Sequence, residues 1–163
     1  MSVTWKDFIF SLIYGPLIII QFILMFLYYN HLGIYPLLYI GWIIWGFSIV
    51  FGFLPMYTLK KKGGVQKGKS YVHTTKLVDT GIYSIVRHPQ HLSGLLLIVS
   101  LALLSQHWLS IIAGTIAFFT FYTDILRADA RCIKKFGEDY KYYMKRVPRF
   151  NFILGIFRKL RKA

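Results

Sequence analysis

Long apolar runs, interrupted by charge at few places, dominate the chain up to Thr123. Three stretches contain no Asp, Glu, Lys or Arg: Phe8 to Tyr29, Asn30 to Leu59, and His88 to Thr123. Stretches of this length and purity predict membrane-spanning helices. Pro16 falls inside the first. Lipid offers the backbone no hydrogen-bonding partner, so this predicts a kink and not a break. The same stretch is too long for the apolar core of a cleaved leader, and no small-x-small site follows it, so it is expected to remain as a span. In the second, Asn30, His31 and Gly33 form a short turn before the helix proper. The third has 36 residues. As one helix it would extend about 54 Å against a hydrocarbon core of about 30 Å. A hairpin is therefore expected, turning at Ser105-Gln106-His107-Trp108, with each arm near the lower limit for spanning.

Beyond the hairpin, Ile125, Ala128, Cys132, Ile133, Phe136, Tyr140 and Tyr143 recur every three or four residues. That spacing predicts an amphipathic helix leaving the membrane, with Gly137 a candidate break and Pro148 its end. The tail then mixes Phe150, Phe152, Ile153, Leu154, Ile156 and Phe157 with Arg158, Lys159, Arg161 and Lys162. It reads as an interfacial anchor on anionic membrane lipids. The expected fold class is an all-α integral membrane protein of about four transmembrane helices plus a cytoplasmic C-terminal amphipathic helix. It would form one membrane domain over 1–163: two N-terminal spans in 1–60, a core over 73–148, and a basic tail over 149–163.

Composition and charge sharpen this picture. Of the 163 residues 56% are apolar while the formal net charge is +14. Both fit if apolar residues face lipid and basic ones gather at the membrane surface. Lys60, Lys61, Lys62, Lys67, Lys69 and Lys76 precede the hairpin and Arg127 follows it, whereas the turns at 30–33 and 105–108 carry no Lys or Arg. Positive-inside placement then puts both termini and the 60–87 loop in the cytoplasm. The aromatic residues lie in uncharged runs and do not alternate with Lys and Arg, which argues against a nucleic-acid partner.

Chemistry must be drawn from few acids: Asp7, Asp79, Asp124, Asp129, Glu138 and Asp139. A lone cysteine, Cys132, excludes an internal disulfide and a cysteine-based metal cluster, and no metal set is expected. Residues 63–70, Gly-Gly-Val-Gln-Lys-Gly-Lys-Ser, satisfy the formal phosphate-loop pattern. That loop needs a buried strand before it and a helix start after it. Here an apolar helix precedes it, so a basic linker is expected. No Gly-x-Gly-x-x-Gly occurs.

The densest polar segment runs from His73 to Gly94 and includes Thr80-Gly81-Ile82-Tyr83-Ser84 and Arg87-His88-Pro89-Gln90-His91. Ionisable groups at the start of a membrane helix are costly unless paired or functional. An arginine snorkelling to headgroups accounts for Arg87 alone but not for the whole set. Together with Phe136-Gly137-x-x-Tyr140-x-x-Tyr143 and Val147-Pro148, this segment resembles the isoprenylcysteine carboxyl methyltransferase family, whose functional neighbours are phospholipid N-methyltransferases. The resemblance covers about residues 73–148.

What the resemblance implies is an S-adenosylmethionine pocket between the Arg-His-Pro segment and the C-terminal helix, with a lipophilic acceptor entering from the bilayer. Cofactor-binding positions would be His73, Gly81, Ile82, Tyr83, Arg87, His88, Pro89 and Asp129. Asp129 and Arg146 would serve the reaction, Arg146 by neutralising an acceptor carboxylate. His91 stands where the family commonly has Tyr, and Ala128-Asp129 where it has paired Glu. The run from Asp129 through Val147-Pro148 is also similar to the end of membrane sterol reductases, which use NADPH. A reductase and a non-catalytic lipid-binding protein therefore stand as alternatives.

Overall fold

The computed structural model describes the backbone of residues 5–161 and side chains from residue 12 onward. The side chains at the start of the first apolar stretch, and Lys162 of the tail, lie outside it. Among the described residues five helices follow in order: α1 Trp5–Leu27, α2 Tyr35–Lys62, α3 Pro89–Ser105, α4 Trp108–Arg146 and α5 Phe152–Leu160. Two short 3-10 turns, Tyr71–His73 and Gly81–Ser84, interrupt the connection between α2 and α3. No strand occurs among the described residues.

Helix α1 continues through Pro16 and α2 through Pro55. α3 opens on Pro89, where a missing N–H costs nothing because the first turn has no carbonyl to give it. The 36-residue uncharged run does fold back, with Gln106 and His107 between α3 and α4. Gln106 adopts a left-handed φ of 51°. Its side chain accepts from Ile34 N–H at 3.0 Å and donates to Ile34 O at 2.9 Å.

By length and composition α2 and α4 can cross a membrane, whereas Leu12–Leu27 and α3 are apolar but shorter. Only 22% of the most apolar stretch of α2 and 33% of that of α4 is buried. A core helix of a water-soluble protein would be mostly buried, so these surfaces are suited to lipid.

The chain divides into two compact units, Met1–Ser48 with Gly94–Ala128 and Ile49–Ser93 with Asp129–Ala163. In the first, Met25, Leu38, Leu101 and Leu104 form a core flanked by Ile18, Phe22, Trp45 and Leu97. Gln21, fully buried there, donates to the carbonyls of Ile98 and Ser110 at 3.2 and 3.1 Å. In the second, Tyr140, Tyr143 and Val147 are buried against Leu77, Cys132, Ile133, Phe136 and Met144.

That second core depends on a break in α4. Gly137 has φ 59° and ψ −135°, outside the helical region. Side chains rarely adopt such a conformation, and glycine does so without strain. Two helical segments meet at a kink there.

Candidate functional site

The second unit joins the two sequence segments that looked informative. Arg87 N–H donates to Pro148 O at 3.0 Å and His88 N–H to Arg149 O at 3.4 Å. The Arg-His-Pro segment therefore lies backbone to backbone against Pro148-Arg149. Tyr143 Oη donates to Tyr83 O at 2.6 Å and ties the 3-10 turn at 81–84 to the same place.

Asp129 sits at the centre with its side chain only 6% exposed. Its Oδ1 lies 2.6 Å from His88 Nε2, 2.8 Å from Tyr140 Oη and 3.4 Å from Arg87 Nη1. Its Oδ2 accepts from Arg149 Nε at 2.9 Å and Arg149 Nη2 at 2.6 Å. Burial alone would raise this carboxyl, but hydrogen bonds from His88, Tyr140 and Arg149 outweigh it. The carboxyl is held well below the usual carboxylate range. An ionised carboxylate only accepts, so the proton between it and His88 belongs to Nε2. Burial conversely pushes the hydroxyls of Tyr83, Tyr140 and Tyr143 and the thiol of Cys132 up. All four stay protonated at neutral pH, and Cys132 offers no thiolate nucleophile.

Tyr140 follows Asp129 by 11 positions. In an unbroken helix they would stand about 17 Å apart along the axis, so their contact exists only because α4 breaks at Gly137.

Beside this cluster lies a pocket of about 160 Å³. Tyr83, Arg87, His88, Pro89, Tyr140 and Tyr143 are among its walls, with Cys132 and Phe136 adding apolar surface and Gln90 and His91 polar surface. Thr74, also in the lining, accepts from the exposed Lys135 Nζ at 3.2 Å. The Nε–H of Arg87 is buried without a partner although Nη1 reaches Asp129. An unmet donor in such a wall invites an acceptor from a ligand.

The structure thus brings together Tyr83, Arg87, His88 and Pro89 on the pocket and Asp129 directly behind them. Other expected positions lie elsewhere. His73 is exposed and not on the pocket, and Gly81 and Ile82 support the turn that carries Tyr83 without lining it. Asp129 itself does not line the pocket; five donor atoms already use its oxygens, leaving no obvious lone pair for a ligand. Arg146 pairs with Asp79 at 3.3 Å in a separate depression. Two side chains that converge on Asp129 were not among the expected site positions. Tyr140 read as a face residue and as part of the family pattern, with no role assigned to it, and Arg149 as one of several surface cations. A buried acid needs more than one donor, which is the clue to both.

No metal-binding group of three or more His, Cys, Asp or Glu occurs among the described residues. Residues 63–70 form a turn-rich connection after α2 with no strand before it.

Residues 36–136 match the phospholipid methyltransferase family, a stretch longer than half the chain. A protein-S-isoprenylcysteine O-methyltransferase of Schizosaccharomyces pombe is 27% identical over 99 residues, 55% of this chain and 42% of that protein. Protein-S-isoprenylcysteine O-methyltransferase B of Arabidopsis thaliana is 28% identical over 99 residues, 55% of this chain and 50% of that protein. The chain thus spans half or less of the length of these curated relatives. No solved structure matches. With a family match that begins in α2 and runs into α4 as far as Phe136, beside the break that shapes the pocket, the chain belongs to the phospholipid methyltransferase family.

Proposed function

We propose that the chain is an S-adenosylmethionine-dependent methyltransferase acting on a lipophilic acceptor that reaches the pocket from the bilayer. The observation that carries this reading is the unpartnered Arg87 Nε–H in a pocket wall held by Asp129. S-Adenosylmethionine has an amino-acid carboxylate to meet that donor, and a cationic sulfonium and a purine ring suited to aromatic walls such as Tyr83, Phe136, Tyr140 and Tyr143. When bound, it would supply a methyl group activated by the positive sulfur.

The chain's own part is then positioning and exclusion of water. Asp129 is a positioning residue: it fixes the His88 ring, the Arg87 guanidinium and the Tyr140 hydroxyl at once. Transfer of a methyl group by in-line displacement needs alignment and a dry site, and no covalent nucleophile. The neutral thiol of Cys132 and the protonated tyrosines are consistent with that. Arg146, engaged by Asp79, has no part in the donor pocket in this reading. We further infer four spans, with the basic 60–87 connection, the pocket and both termini on the cytoplasmic side, from the distribution of Lys and Arg.

Calorimetry on detergent-purified protein tests the cofactor directly. S-Adenosylhomocysteine should bind at one site per chain and NADPH should not. Binding of NADPH alone would support the reductase alternative, and binding of neither would favour a lipid-binding protein.

A further inference from the structure

The depression that holds Arg146 shares only Tyr143 with the lining of the donor pocket. Asp79, Ser84, Tyr143, Arg146, Arg158 and Lys159 line it, and it encloses about 310 Å³. Arg146 meets Asp79 at 3.3 Å, with both side chains roughly half exposed. Arg158 and Lys159 have no acid partner among the described residues. Three cations against one acid leave an excess of two positive charges in a concave site.

The helix that supplies Arg158 and Lys159 is unusual in how it is held. Asn151 caps α5 by accepting from Leu154 N–H at 2.9 Å. Gly155 is buried so closely on the Ile85 carbonyl that a Cβ there would collide with it. Phe152 packs on Phe51 with ring centroids 5.6 Å apart. The rest of the apolar side chains face away: Ile153, Phe157 and Leu160 are 57%, 67% and 67% exposed. An apolar surface next to a cationic hollow matches an amphiphile with an anionic head. A free anion would satisfy the charge and leave that apolar surface in water.

We propose that this depression seats the phosphate of an anionic phospholipid, whose acyl chains cover the exposed apolar face of α5. The lipid is distinct from the methyl acceptor, and the site stands whether or not the neighbouring pocket binds S-adenosylmethionine. Its effect is to fix α5, and through Gly155 the Ile85 segment, at the membrane surface.

Native mass spectrometry of the full chain in detergent tests this, using phosphatidylglycerol and phosphatidylcholine of identical acyl chains. One phosphatidylglycerol should be retained in preference to phosphatidylcholine. Each basic residue near an anionic lipid contributes roughly fivefold, so the Arg158→Ala/Lys159→Ala pair should lose roughly thirtyfold of that affinity. The conservative pair Arg158→Lys/Lys159→Arg should keep it, as should Lys67→Ala/Lys69→Ala in the exposed basic connection. Equal retention of the two lipids would overturn the proposal, and so would a preference that survives Arg158→Ala/Lys159→Ala. Binding of glycerol 3-phosphate as tight as that of phosphatidylglycerol would show a simple anion site and overturn the lipid assignment.

Discussion

Replacing Gly137 by Ala tests the link between the backbone of α4 and the pocket. The added Cβ meets nothing within 4 Å, so no steric clash contributes. The whole effect comes from φ 59° and ψ −135°, a conformation that costs a side-chain-bearing residue about 1–3 kcal/mol. That is comparable to the hydrogen bond from Tyr140 to the ionised Asp129, worth about 1.5–3 kcal/mol. It is opposed as well by the buried Tyr140, Tyr143 and Val147 cluster, so the protein should still fold. The broken conformation should nevertheless lose roughly five- to 150-fold in population relative to a continuous helix. S-Adenosylhomocysteine affinity should fall by up to that factor in calorimetry. Gly68→Ala is the matched control: its φ is 86°, its Cβ also meets nothing, and it lies in the exposed connection away from the pocket. It should lower thermal stability slightly and leave donor affinity unchanged. Wild-type affinity in a folded Gly137→Ala protein would refute the claim that the break assembles the site.

Tyr140→Phe keeps the ring but removes the hydroxyl on Asp129, and should weaken S-adenosylhomocysteine binding roughly ten- to a hundredfold by titration calorimetry. Tyr143→Phe removes only a neutral bond to Tyr83 O, about 0.5–1.5 kcal/mol, and should act mainly on the melting temperature. For pH, the depressed Asp129 contributes stability that is fully present above the unfolded carboxylate value of about 3.9 and lost as pH falls toward its lower folded value. The melting-temperature gap between wild type and Asp129→Asn should therefore be constant at neutral pH and narrow below about pH 4; a gap that widens there reverses the assigned sign. Topology is checked by cysteine labelling from either side of the membrane, with Lys67→Cys expected to react from the cytoplasm and Trp108→Cys from outside. Trp108 is 61% exposed, whereas Gln106 in the same turn is buried and bonded to Ile34, which makes it a poor probe. Labelling of both from one side would contradict four spans.

The helices and their hairpin were legible because a simple length bound decides them: no single helix of 36 uncharged residues fits a bilayer. Tyr83, Arg87, His88 and Pro89 were legible because they cluster in sequence and matched a family pattern. Arg149 was not. It lies three residues after Arg146 among similar cations, and nothing in composition says which of the two turns inward. Pro148 decides it, since α4 has ended and Arg149 is carried off the helix face onto Asp129. The surroundings of Asp129 were half legible. An acid was expected beside the cofactor, but the number of donors that would converge on it depends on a kink whose direction Gly137 alone does not disclose. The division into two units was also hidden, because α2 and α4 run without interruption through its boundaries.

The unit that contains the pocket is discontinuous in the chain, built from Ile49–Ser93 and Asp129–Ala163. Asp129 must find His88 across 41 residues, and Arg149 then follows another 20 residues later. During synthesis, the Arg-His-Pro segment is therefore made long before its acid partner, and the acid is made before its principal cation. The closing of a loop this long costs chain entropy that only the completed set of bonds recovers. A nascent chain ending at Tyr143 holds Asp129 without Arg149 and the 87–88 backbone without its partners at 148–149. Donor binding should thus appear late and abruptly in a series of lengthening chains, long after the α3–α4 hairpin has been made.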